Sequence, residues 1–175
     1  MNFNKIAIAS MLFGAATIAN AADVGKVTFF GTIVDAPCSV AAESLDQTVP
    51  LGFISMNALE NKGESIPRPF TIQLEQCNFG DPAVKNNVTT TFTGVSSPVA
   101  AANELLAIQG ATAAGAGVAI RTYEGKPIVL GVATAPSLLV GETPVLQYSA
   151  FLKGGNTDVK AGEFTAVTNF QLSYQ

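Results

Sequence analysis

Phe164-Thr165-Ala166-Val167-Thr168-Asn169-Phe170-Gln171-Leu172-Ser173-Tyr174-Gln175 reads as one long β-strand. Phe164, Ala166, Thr168, Phe170, Leu172 and Tyr174 share one face; Thr165, Val167, Asn169, Gln171, Ser173 and Gln175 share the other. A period of two with one apolar face marks a strand laid against a core. The stretch runs to the last residue, where no further strand follows to cover it. It is therefore expected at a sheet edge, where free backbone groups and apolar side chains invite a strand from another chain.

The same period recurs toward the N-terminus. In 145–152, Leu146, Tyr148, Ala150 and Leu152 fall together. Residues 117–123 offer Val118 and Ile120, and 88–94 place Val88, Thr90 and Phe92 on one side. In 68–76, Phe70, Ile72 and Leu74 share a face; Cys77 has the opposite parity, so a bulge or strand end is expected just before it. Residues 48–54 read as a further short strand. Residues 24–34 alternate too, with Val27, Phe29, Gly31 and Ile33 one way and Thr28, Phe30, Thr32 and Val34 the other. Turn signals separate these runs, among them Asn61-Lys62-Gly63, Glu124-Gly125-Lys126-Pro127 and Gly154-Gly155-Asn156. Residues 100–106 suggest a helical turn, and the Ala/Gly-rich 111–117 a flexible loop. Many short strands with frequent turns predict an all-β chain folded as an immunoglobulin-like β-sandwich.

Composition narrows the function. The 175 residues contain 9 Lys plus Arg and 13 Asp plus Glu, a net charge of −4. No basic surplus is available to neutralise phosphates, which argues against nucleic acid as a partner. The chain has no histidine, so a histidine-based triad or a His-ligated metal site is excluded. Charged residues make up 13% of the chain, about half the usual share, leaving a surface rich in Thr, Ser, Asn and Gln. Carboxylates such as Asp35, Glu43 and Asp46 lie near turns, as they do on any solvated loop. No enzyme and no cofactor is expected.

Residues 1–21 read as a signal peptide: Lys5 supplies the positive start, 6–18 an uncharged apolar run, and Ala19-Asn20-Ala21 the cleavage pattern. A buried N-terminal helix is the other reading. The run is too short to span a membrane, and no second run approaches that length, so no membrane insertion is expected. Removing 21 of the 175 residues leaves 154, one domain of ordinary size. Export gives Cys38 and Cys77, the only two cysteines, an oxidising compartment that favours joining them, with two free thiols as the alternative. Closing that loop removes unfolded-state entropy worth roughly 4 kcal/mol.

Five motifs in order resemble the chaperone–usher pilins of the type 1 fimbrial family, over the whole chain. Val27-Thr28-Phe29-Phe30-Gly31-Thr32-Ile33-Val34, a short turn and Cys38 resemble the family's donor strand and first cysteine. Residues 46–52, Asp-Gln-Thr-Val-Pro-Leu-Gly, and 70–77, Phe-Thr-Ile-Gln-Leu-Glu-Gln-Cys, are similar to two of its strands. A penultimate Tyr174 and Gly162, fourteenth from the end, complete the set. The resemblance implies residues 22–37 as an N-terminal donor-strand extension. It implies 38–175 as an incomplete immunoglobulin-like domain that lacks its last strand. Val27, Phe29, Gly31 and Ile33 would plug the groove of a neighbouring copy. Gly162, Phe164, Phe170, Leu172 and Tyr174 would form the strand that a periplasmic chaperone, and then the next subunit at an outer-membrane usher, pairs with. The implied product is a homopolymer, joined to other fimbrial subunits, on the cell surface and supporting adhesion. A minor adaptor or terminator subunit is the closest alternative. A glycan-binding tip adhesin is the next, but 154 residues leave no room for a second domain beside the extension.

Overall fold

A computed structural model describes residues 25–80, 84–110 and 112–175; the expected signal peptide lies outside them. The body of the protein is Asp35–Gln175, and the segment ending at Val34 is a separate unit. Of that segment, residues 25–34 carry no strand and are exposed throughout, in contrast to the strand expected from their alternation. A strand is defined by its ladder, and alternation alone supplies none.

The body is almost entirely β: β1 (Ser39–Val40), β2 (Arg68–Glu75), β3 (Asn87–Gly94), β4 (Leu106–Ala107), β5 (Ala116–Thr122), β6 (Ser137–Leu138), β7 (Val145–Gly154) and β8 (Thr168–Tyr174), with one helical turn, α1 (Ala42–Leu45), after β1. Two short 3-10 turns, Met56–Ala58 and Glu60–Lys62, precede β2. All strand pairs are antiparallel, in a five-stranded sheet ordered β1-β2-β7-β5-β4 and a three-stranded sheet ordered β6-β3-β8.

The side-chain parity read from the sequence is the parity of the core. Ile72 and Leu74 of β2, Leu146, Tyr148, Ala150 and Leu152 of β7, and Val118 and Ile120 of β5 are buried, as are Val88, Thr90 and Phe92 of β3. An aromatic trio ties the two layers: the Phe92 ring of one sheet meets Tyr148 of the other edge-on at 5.1 Å and Phe70 at 6.2 Å. The Tyr148 hydroxyl donates to Thr90 Oγ1 at 2.7 Å, so the one polar tip in this cluster is satisfied. Burial pushes the Tyr148 phenol up from its usual range, and the bond to Thr90 offsets part of that.

A second, smaller core lies outside the five-stranded sheet. Phe151 and Ala119, on the opposite parity to the main core, pack with Leu105, Val99 and Ala100. The Arg121 guanidinium caps the Phe151 ring 4.0 Å from its centroid. Residues 100–106 therefore do not form the expected helical turn. They fold as turns that lay Leu105 over this patch before Leu106 enters β4.

Two further expectations fail in the same region. The described part of 111–117 is not a free loop: Ala114 bridges Lys160, Gly115 is buried, and Ala116–Gly117 open β5. The last strand is shorter than its alternation suggests. Only Thr168–Tyr174 pair with β3, whereas Thr165 bridges Gln109 instead. The chain changes partner between 165 and 168, so one continuous alternation serves two neighbours.

Candidate functional site

The site begins at the disulfide. β1 pairs with β2 so that Ser39 faces Glu75, which sets Cys38 against Gln76. Gln76 ends the strand with φ +54, in the left-handed region, and this turn brings Cys77 across to Cys38. The two cysteines are joined, with Cα atoms 4.1 Å apart. Beyond β1 the chain stays tied to the rim of β2: Ala41 N–H donates to Gln73 O, the Gln73 N–H donates to Ser44 Oγ at 2.9 Å, and Gln47 Nε2 donates to Thr71 O at 2.9 Å.

After Gln47 the chain leaves that rim. Residues 48–54 are not the strand the sequence suggested; they carry no assigned secondary structure. Val49 and Leu51 turn toward the body and are half-buried. Gly52 then takes φ +80, a conformation that favours glycine, and the alternation breaks. Phe53, inward by parity, is turned out fully exposed, and Ile54 takes the inward place.

Facing 48–54 across a cleft of about 1000 Å³ lie residues 159–166 and the segment beginning at Ile108. Leu59, Ala116, Val118, Ala150 and Leu152 also line it. The far wall is a zipper of two backbones: Gln109 and Thr165 exchange N–H···O bonds of 2.7 and 2.8 Å, and Lys160 N–H donates to Ala114 O at 3.0 Å. Glycines make that approach possible. A side chain at Gly110 would run into the Glu163 carbonyl, and one at Gly162 into Thr112 and the Ala113 backbone. The sequence singled out Gly162; its partner Gly110 was not anticipated, and the run of glycines at 110, 115 and 117 was its only sign.

From this wall the chain runs directly into β8. Among the described residues β8 pairs with β3 on one side only and is the edge of its sheet. Phe164, Ala166, Phe170, Leu172 and Tyr174 all pack against the main core yet stay half-buried, while Thr165, Val167, Asn169, Gln171 and Ser173 face out. The faces assigned from sequence are the observed ones. Partial burial pushes the Tyr174 phenol up, consistent with a ring set into the seam between the layers. An open strand edge, a row of half-covered apolar side chains and a cleft at its upstream end can accept an extended apolar segment. Among the described residues, no three Cys, Asp or Glu side chains come together to hold a metal ion.

Val27, Phe29 and Ile33 are exposed at 75%, 89% and 102%, with Gly31 exposed between them. They are thus available to another molecule. The model for the fimbrial protein family matches residues 27–175, from this segment through β8. The chain belongs to that family. The fimbrial protein is 51% identical over 180 residues to the fimbria A protein of Serratia marcescens, with all of both chains covered. It is 38% identical over 181 residues to the major MR/P fimbria protein of Proteus mirabilis strain HI4320, again with both chains fully covered. The crystal structure of the P pilus rod subunit PapA matches with TM-score 0.70 and 32% identity, over 80% of this chain and all of that one. A chaperone–usher pilus structure matches with TM-score 0.75 and 35% identity, over 92% and 100%. The fimbrial protein shares with these subunits an immunoglobulin-like sandwich that is one strand short.

Proposed function

We propose that this chain is the major structural subunit of a surface fimbria and polymerises by donor-strand exchange. The observation that carries the reading is the edge of β8 that no described residue pairs, with Phe164, Phe170, Leu172 and Tyr174 left half-buried beside the cleft. Residues 27–34 of the next copy supply the missing strand: Val27, Phe29 and Ile33 fill the groove, and Gly31 lets the backbone come close. Burying three large side chains at about 2 kcal/mol each gives roughly 6 kcal/mol before backbone pairing and ordering costs. Before assembly, a periplasmic chaperone holds β8 with a strand of its own, and an outer-membrane usher presents the subunit for exchange. The names of the relatives, a major fimbria protein among them, favour a rod subunit over an adaptor, a terminator or a tip adhesin. The role is structural, with adhesion supported by the fibre.

Deletion of residues 170–175 tests the reading. The truncated chain should fail to co-purify with its chaperone and be degraded in the periplasm. Continued capture by the chaperone would place the binding strand elsewhere.

A further inference from the structure

The segment that fills the groove has a second face. With Val27, Phe29, Gly31 and Ile33 turned inward, alternation turns Thr28, Phe30, Thr32 and Val34 outward. Phe30 is the largest of these and is 97% exposed. One exposed ring is ordinary on a protein surface, but a ring that lies down beside further exposed apolar residues completes a patch of the kind that marks a contact. One exposed apolar residue stands on the 48–54 wall and another just beyond the end of the opposite wall. Phe53, on the 48–54 wall, is exposed at 111%, and Val167, which leads from the opposite wall into β8, at 67%. Phe53 is there by a specific device: the left-handed Gly52 breaks the alternation of Val49 and Leu51 and throws the ring onto the outer lip.

Neighbouring strands lie about 4.8 Å apart, so a strand seated between these walls brings its outward side chains against both. Running antiparallel to β8, the segment sets Val27 toward the Tyr174 end and Ile33 toward the Phe164 end, with Phe30 between. We infer that Phe30 of one copy closes over the slot of the next and packs between that copy's Phe53 and Val167. The partner is a second copy of this chain. The contact seals the inserted strand from outside, independently of the pockets beneath it. This rests on the donor-strand reading and adds an outward contact to it.

The test uses fimbriae assembled from the full chain. All three side chains are exposed in the free subunit, so Phe30→Ala should leave subunit folding and chaperone capture intact, and Phe53→Ala should leave folding intact. Each should make fimbriae dissociate about 2- to 10-fold faster in hot detergent, the range for one aromatic contact. The double variant should be no faster than the worse single, and Phe53→Tyr should stay near the parent. A Phe30→Cys/Phe53→Cys chain should give an oxidation-dependent ladder of linked subunits that neither single cysteine gives. Additive effects, unchanged dissociation, or intact fimbriae without a ladder would overturn the seal. Deletion of 25–34 separates this from the underlying reading. Fimbriae lost on deletion but indifferent to Phe30 and Phe53 mean that only the seal is wrong. Fimbriae that survive the deletion mean that donor-strand exchange itself is wrong.

Discussion

Replacing Phe29 by Ala probes the donor register at its largest inward side chain. Phe29 is 89% exposed in the free subunit, so its loss costs the fold almost nothing there. In the assembled state the ring would move into an apolar slot walled by half-buried Phe164, Phe170, Leu172 and Tyr174. Truncating a fully buried Phe costs about 3–5 kcal/mol. The slot is open on one side, and half-burial of its walls argues for the lower part of that range, about 3 kcal/mol. At 1.4 kcal/mol per decade this is a loss of roughly 100-fold. Thr28→Ala and Thr32→Ala, on the outward face, should cost under about 0.5 kcal/mol, near twofold. The assay is exchange kinetics: the purified subunit–chaperone complex is mixed with a synthetic peptide of residues 22–37, and the rate of chaperone release and the lifetime of the peptide complex are followed. The Phe29→Ala peptide should dissociate roughly 100-fold faster, and the threonine variants nearly as slowly as the parent. If instead Thr28 and Thr32 carried the loss and Phe29 did not, the strand would be seated one residue out of register, and every inward assignment would reverse.

Other consequences are as direct. Gly31→Leu places a side chain where the backbone should come closest, an overpacking cost of about 1–3 kcal/mol or more; the variant should remain folded and chaperone-bound while long fimbriae disappear from negative-stain images, and normal fimbriae would make Gly31 a tolerated bulge. Cys38→Ser removes the link to Cys77, worth roughly 4 kcal/mol, and should lower periplasmic subunit levels on immunoblots, whereas normal accumulation would contradict the stabilising role. Glu64 is pushed up by partial desolvation, but hydrogen bonds and charge from Arg121 and Lys153 outweigh this and hold its carboxyl below the ordinary 4.5. Its folded pKa is the lower one, so its contribution is present above about pH 4.5 and fades as pH falls through the folded value; with a side chain about a third exposed it is worth under about 1 kcal/mol. Thermal melts of the chaperone-free subunit should therefore show a shallower acid limb for Glu64→Gln than for the parent, and identical limbs would refute the clamp.

Much of the sandwich was legible because it rests on parity. In β2, β3, β5, β7 and β8 the residues of the main core repeat every second position, because they share one face of their sheet. Even the strand end before Cys77 could be read, since its parity disagrees with Phe70, Ile72 and Leu74 and a left-handed Gln76 resolves the conflict. What escaped was set by partners distant in sequence. Residues 48–54 look like a strand, but they form no ladder with any described residue, and alternation alone names no partner. Residues 164–167 continue the alternation of β8 yet bond to Gln109, a choice that side-chain parity does not encode. Phe151 sits on the polar-looking side of β7, and only the folding-over of Leu105 makes that side a core. The cleft followed the same rule: its β8 side was visible as half of an alternation, while the wall built from Gly110, Gly115 and Gly162 depends on two backbones meeting.

The central claim concerns a contact between copies, and the most direct test is electron cryo-microscopy of assembled fimbriae at side-chain resolution. Density for residues 27–34 should run antiparallel along β8 of the adjacent subunit, with Val27, Phe29, Gly31 and Ile33 facing its core. A segment folded back onto its own subunit, or lying along β8 with Thr28, Phe30 and Thr32 inward, would contradict it.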